Sequence, residues 1–335
     1  MASRLDEIHE QIGLVQKRMK MMNLALLTAT VIVTVSASAE EGNERKALGP
    51  PALKISCGDV LLRIDGPLKW TINRIEYKGT PLAVENSAYG TVFLFPGIGF
   101  IGSGHLLDRQ DGAEDVLSLE MELDNKQLSW APEKTFSSKQ LQPYLEHGRP
   151  LPEPVELVKG TQFKQHKISR ILDFSLDCVI ELRGNRLYEE TTFNSPHQVP
   201  LELVYNFMHA WIDTATAFLS GKDGGDETAG ELKDSKEAAN VQYINKEMDW
   251  VAVYDGPSGK GAVSRLLAKP QLGGAVMFIR NCPKIYRKFY LMSFTKETVP
   301  TGFSGTYRMV TAFFEASSDK WQGAARKLAG ELKAP

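Results

Sequence analysis

Residues 172–193 read LDFSLDCVIELRGNRLYEETTF. Leu172, Phe174, Leu176, Cys178, Ile180 and Leu182 recur at every second position, with polar residues interleaved up to Asp177. A period of two is that of a strand with one face buried. Arg183-Gly184-Asn185-Arg186 is turn chemistry, because Gly and Asn accept the positive φ that a tight hairpin requires. The segment LYEETTF then resumes strand spacing, so the stretch predicts a β-hairpin.

The same alternation extends along the chain. VLSLEMEL (116–123) places Leu117, Leu119, Met121 and Leu123 on one face and Ser118, Glu120 and Glu122 on the other. Further strand candidates are LLRI (61–64), WVAVYD (250–255), AVMFI (275–279) and YRMVTAFFEA (307–316). Strands that are apolar on one face and polar on the other build antiparallel sheets with one wet side. The clearest helix spans 319–333, where Ser317-Ser318-Asp319 offers a cap and Trp321, Ala324, Leu328 and Leu332 share a side. The fold class expected is mainly β: one antiparallel β-supersandwich over residues 40–335 with a C-terminal helix. Five prolines between 131 and 165 mark an insertion or lid, and 220–238 reads as a polar, acidic loop. GPSGKG (256–261) lacks the spacing of a phosphate loop and is expected to be a hairpin turn.

The chain has 335 residues, with 39 basic and 41 acidic side chains, a formal charge of −2. So even a balance carries no signature of a nucleic-acid or anionic-membrane partner. Three cysteines, Cys57, Cys178 and Cys282, allow at most one internal disulfide. Their spacing matches no metal motif, and no metal or cofactor is expected. Near the N-terminus Lys20 precedes an apolar run at 24–35 that ends in Ala37-Ser38-Ala39. That is the layout of a signal peptide over residues 1–39, with 1–18 a stretch upstream of a start at Met19. The run is short for a membrane span, so an anchor is the alternative. The expected location is secreted or periplasmic, with no stable membrane association after cleavage.

Three stretches put ionisable groups where strands leave a sheet. The first contains Phe95-Pro96-Gly97-Ile98-Gly99 followed by His105-Leu106-Leu107-Asp108-Arg109. The second runs from Thr192-Phe193-Asn194 through Pro200 to His209 and Trp211. The third ends at Glu315. In this order they resemble the aldose 1-epimerase, or galactose mutarotase-like, superfamily, although Leu106 stands where that family has glycine. The resemblance implies a carbohydrate partner and a proton-transfer reaction at an anomeric centre. His209 would be the acid and Glu315 the base, a division of labour that imidazole and carboxylate suit near neutral pH. His105 and Arg109 would bind sugar hydroxyls, and Trp211 would stack on the ring. Each has a plainer reading: His209 as a satisfied strand-end histidine, Trp211 as core, and Glu315 as a charge at a helix N-terminus. A polysaccharide lyase, with Tyr205 or Tyr307 as base and Arg109 or Arg308 near a uronate, and a non-catalytic glycan-binding module are the other readings of this pattern.

The export reading is checked by N-terminal sequencing of protein secreted by its own host. The mature chain is expected to start near Glu40, and retention of residues 24–35 would establish the anchor instead.

Overall fold

The computed structural model describes residues 52–84, 90–103, 114–128 and 155–333. All belong to one compact unit, Ala47–Pro335. The signal-peptide segment, His105, Arg109 and the five prolines of the 131–165 stretch lie outside the described residues.

The strands in chain order are β1 (Ala52–Cys57), β2 (Val60–Asp65), β3 (Thr71–Tyr77), β4 (Thr80–Ala83), β5 (Val92–Phe95), β6 (Gly99–Gly102), β7 (Asp115–Leu123), β8 (Lys126–Gln127), β9 (Val155–Gly160), β10 (Gln162–Ile171), β11 (Phe174–Arg183), β12 (Arg186–Ser195), β13 (Val199–Leu201), β14 (Leu203–Trp211), β15 (Ala217–Gly221), β16 (Glu227–Glu231), β17 (Gln242–Glu247), β18 (Trp250–Asp255), β19 (Lys260–Ala268), β20 (Val276–Cys282), β21 (Tyr286–Ser293), β22 (Glu297–Val299) and β23 (Phe303–Glu315). One helix, α1 (Trp321–Glu331), follows. The first sheet runs β17-β20-β21-β14-β4-β3-β2-β1-β9, with β5 and β6 joined to it through β14. The second runs β16-β15-β18-β19-β23-β12-β11-β10-β7-β8, and β13 pairs with β22 separately. Pairing is antiparallel throughout apart from β1 with β9.

The two large sheets pack face to face. A single core cluster takes Leu53, Leu62 and Phe93 from the first sheet and Phe163, Phe174 and Phe193 from the second. The Phe93 ring stacks on Phe174 at 4.8 Å and meets Phe193 edge-on at 5.9 Å, so aromatic contact spans the layers. The architecture expected from the alternation, an antiparallel β-sandwich with a C-terminal helix, is the one found.

The hairpin expected over residues 172–193 is β11–β12, with Gly184 and Asn185 at φ 53° and 60° in its turn. Asn185 also accepts from the Asp59 amide at 2.8 Å, which fastens this turn to the β1–β2 turn of the other sheet. Two residues of the expected alternation sit elsewhere. Leu172 occupies the β10–β11 turn at φ 50° and is exposed. Leu117 is the extra residue of a bulge where β10 steps from Ser118 to Val116, so Val116 points inward in its place. The 220–238 stretch, expected as loop, contains the end of β15 and all of β16, whose glutamates point to solvent. Likewise β9 and the start of β10 replace the end of the expected 131–165 insertion. The GPSGKG segment is the β18–β19 turn as expected.

Helix α1 begins two residues later than the spacing predicts. Lys320 is its N-cap and makes no side-chain capping bond; the Ser317 hydroxyl donates to Asp319 instead. The helix covers the outer face of the second sheet. Trp321 stacks on Tyr254 at 5.1 Å with rings 3° apart, and Ala325, Ala329 and Leu332 complete the contact. This explains why β18 is apolar on both faces: Val251 and Val253 enter the inter-sheet core while Trp250, Ala252 and Tyr254 lie beneath the helix. Among the described residues no helix is long and apolar enough to cross a membrane.

Trp321→Ala removes the main anchor of α1 and leaves a cavity over Tyr254. It is expected to lower stability by about 3–5 kcal/mol in urea denaturation while the β-type circular dichroism persists.

Candidate functional site

The inner face of the second sheet carries a polar island. Across β10, β11, β12 and β23 one row reads Gln165, Ile180, Glu189, Met309, and the next reads Lys167, Cys178, Thr191, Tyr307. The flanking rows are apolar at Phe163, Leu182 and Leu187 on one side and at Leu176 and Phe193 on the other. Leu176 and Leu182 are sealed, whereas Cys178 and Ile180 between them are half-buried. The gap above Cys178 and Ile180 is therefore the floor of a pocket. With strands about 4.8 Å apart, Gln165 and Lys167 face Glu189 and Thr191 across about 10 Å.

The opposite sheet supplies the roof: Thr91, Ser103 and Asn206, with Trp70 and Gly90 at the rim. A side chain at Gly90 would overlap Ser103, so the close approach there requires glycine. The Thr91 hydroxyl donates to Asn206 Oδ1 at 3.3 Å. Asn206 Nδ2 and Gln165 Oε1 are buried and have no protein partner, and both residues line the pocket. The enclosed space is about 40 Å³. One water needs about 10–15 Å³, so this holds a few waters, or the hydroxyl edge of a larger molecule.

Each charged member of the island is held from the facing layer. Lys167 Nζ donates to the Lys69 carbonyl at 2.9 Å and lies 2.8 Å from Glu114 Oε1. Gln165 Nε2 donates to the Trp70 carbonyl at 2.9 Å. Glu189 Oε2 lies 2.8 Å from His209 Nε2, a buried contact between the two sheets. The residues that present these carbonyls are strained: Lys69 and Trp70 are consecutive non-glycine residues at φ 58°. Left-handed backbone of this kind costs about 1–3 kcal/mol per residue and tends to gather at functional sites. Burial lowers the pKa of the Lys69 ammonium, and burial pushes the Cys178 thiol up to about 11, which makes it a poor nucleophile.

His209 reaches Glu189 because β14 is bulged. Asn206 pairs with Leu291 and His209 with Phe289, so three steps on β14 match two on β21. Phe207, at φ 46°, takes up the extra residue. Simple alternation from Val204 and Asn206 would send His209 to the outer face; the bulge returns it to the inner one.

Of the residues the sequence grouped, the structure describes His209, Trp211 and Glu315 and separates Glu315 from the other two. His209 is 0% exposed and packs against Trp211, edge-on at 5.1 Å, and Phe289 at 6.2 Å. Trp211 is itself part of the core rather than a surface platform. Glu315, paired in register with Lys260 at the end of β23, keeps a side chain 53% exposed. A hydrogen bond from Lys78 at 3.0 Å holds its carboxyl below the usual range, which suits an ion pair and not a base. Glu315 is six residues from Met309, which stands opposite Glu189. At about 3.3 Å per residue that is about 20 Å along the strand, so His209 and Glu315 do not flank one ligand. The carboxylate that meets His209 is Glu189. Its signal was present in LYEETTF, where Leu187, Glu189, Thr191 and Phe193 share one face. A charged residue at a core position of an amphipathic strand is either an error or a site. Gln165 and Lys167, between Phe163 and Ile171 on β10, carry the same signal.

No protein-family model matches the sequence, and no curated protein matches it. Similar solved structures include a galactose mutarotase-like protein from Lactobacillus casei ATCC 334, 9% identical, with a TM-score of 0.42, covering 78% of this chain and 100% of that one. An alpha-N-acetylgalactosaminidase from Bifidobacterium bifidum is 8% identical, with a TM-score of 0.47, covering 82% of this chain and 39% of that one. A heparan sulfate lyase from Pedobacter heparinus is 7% identical, with a TM-score of 0.37, covering 77% and 34%.

Glu189→Ala strips His209 of a buried partner and is expected to cost about 3–5 kcal/mol of stability. Glu315→Gln, at the surface, is expected to leave the urea midpoint essentially unchanged. Urea denaturation of the two variants tests whether Glu189 or Glu315 is the buried partner.

Proposed function

We propose that this chain is a carbohydrate-active protein, exported to the periplasm or medium, that takes the hydroxyl edge of a saccharide into the pocket between its sheets. The observation that carries the reading is the lining itself. A sugar hydroxyl donates one hydrogen bond and accepts others. The pocket offers an unpartnered amide donor at Asn206 and an unpartnered amide acceptor at Gln165 beside the Glu189 carboxylate. The finer reading is aldose 1-epimerase-like proton transfer. In it Glu189, not Glu315, removes the proton from the anomeric hydroxyl, and His209 positions the carboxylate from behind.

A purely binding role is the second reading, and the burial of His209 favours it, since a fully enclosed imidazole reaches no ring oxygen. Neither tyrosine offered for the lyase alternative, Tyr205 or Tyr307, suits a base. The Tyr307 hydroxyl donates to the Gly274 carbonyl and burial raises its pKa, while Tyr205 belongs to the aromatic cluster with Tyr290 and Phe278.

The test combines calorimetric titration with a panel of mono- and disaccharides and proton exchange spectroscopy of their anomeric signals. Saccharide binding that Glu189→Gln weakens at least about tenfold, with Glu315→Gln unchanged, is the expected result. Catalysis adds anomeric exchange that falls by about 10²–10⁴-fold in Glu189→Gln. Affinity without exchange establishes the binding role. Absence of any saccharide binding, or equal losses in both variants, overturns the proposal.

A further inference from the structure

The charges around the pocket restrict which saccharide it takes. Lys167 is the one ammonium among the described lining residues, and it is already matched by Glu114 at 2.8 Å and by the Lys69 carbonyl. Beyond the lining, Lys69 lies near Glu114, Asp115 and Lys167, and Asp115 pairs with Arg170 at 3.1 Å. Glu190 also borders the pocket but turns its carboxylate to the outer face, where Arg308 pairs with it at 2.5 Å. Glu189 is left, with His209 behind it. If His209 is neutral, the pocket holds a net negative charge; if His209 is protonated, it holds none. In neither state does an uncompensated positive charge among the described lining residues face the ligand.

The hydrogen-bond count leans the same way. Among the described lining residues, Gln165 Oε1 and the Asn206 Nδ2 amide are buried without a partner, and the Glu189 carboxylate beside them, bonded to His209 through one oxygen, keeps lone pairs to spare. A ligand edge that fills this space is richer in donors than in acceptors. An alcohol brings one donor with its two lone pairs. A protonated primary amine brings three donors, no acceptor and a positive charge, in nearly the volume of the hydroxyl it replaces. A carboxylate or sulfate brings acceptors alone and a charge of the wrong sign.

We infer that the preferred ligand is an amino sugar, bound with its ammonium group toward Glu189 and Gln165, and that uronic acids and sulfated sugars are rejected. This rests on the saccharide reading of the same pocket and deepens it. Charge-assisted hydrogen bonds are about twice as strong as neutral ones, so an amino sugar is expected to bind about tenfold more tightly than the parent sugar with a hydroxyl in the same place.

The experiment is a glycan array displaying amino-sugar, parent hydroxyl, uronate and sulfated termini on matched scaffolds. Wild-type protein is probed below and above the pKa of the amine. Amine-bearing saccharides should lead at the lower pH and fall to the level of their hydroxyl parents at the higher. That second arm needs no variant and so does not depend on how substitutions fold. In Glu189→Gln the amine preference should collapse, so that amine and hydroxyl twins bind alike and both more weakly than to the wild type. Equal binding of amine and hydroxyl twins at both pH values overturns the inference and leaves the saccharide site standing. Leading signals from uronate or sulfated termini overturn it as well. An array with no bound saccharide removes the site itself, and the inference with it.

Discussion

The arrangement depends on one extra residue in β14. Side chains alternate along a strand with a period of two, so a shift of one position exchanges its faces. Val204 and Asn206 face the inter-sheet space, and without the bulge at Phe207 the residues that follow would present His209 and Trp211 to the outer aromatic cluster and Met208 and Ala210 to the interior. With it, His209 meets Glu189 and Trp211 fills the core. The left-handed φ of Phe207 costs about 1–3 kcal/mol. Packing on both faces offsets that cost: Phe207 enters the main core, and Met208 joins Val92, Phe278 and Tyr290 outside.

The polar island is a second expense placed against the first. An inter-sheet core of this size would be simpler to stabilise with leucine and phenylalanine, and buried ion pairs often contribute less than well-packed apolar replacements. Here Gln165, Lys167 and Glu189 each depend on a partner from the facing sheet, and two of those partners are carbonyls of the strained pair Lys69–Trp70. Strain, buried charge and unpartnered amides occur around one space. Stability alone does not account for that coincidence; the proposed saccharide site supplies a reason for it.

Much of the architecture was legible from side-chain spacing because the sandwich has one buried face per sheet. The β11–β12 hairpin, the β18–β19 turn and the covering helix all followed from period and turn chemistry. The misreadings have local causes. Leu172 lies in a turn that its hydrophobicity disguised, and Leu117 is the extra residue of a bulge. β16 is an edge strand whose exposed glutamates look like loop composition. For the site, the inward Glu189, Gln165 and Lys167 were visible as polar interruptions of apolar faces, yet functional weight fell on strand ends. Glu315 stood out by its place at the end of a strand, but its exposed ion pair with Lys78 gives it no part in the pocket.

By itself, then, the amino-acid order determined the strands, their buried faces and the class of fold, since these follow from periodicities of two and 3.6 within a few residues of chain. The partner of His209 was decided by tertiary structure alone. Glu189 and His209 are 20 residues apart and belong to different sheets. Their meeting requires both the face-to-face packing of those sheets and a bulge that inverts the parity of β14. A bulge is set by the register of the neighbouring strand β21, some 80 residues further along, and no local pattern in residues 203–211 encodes that register.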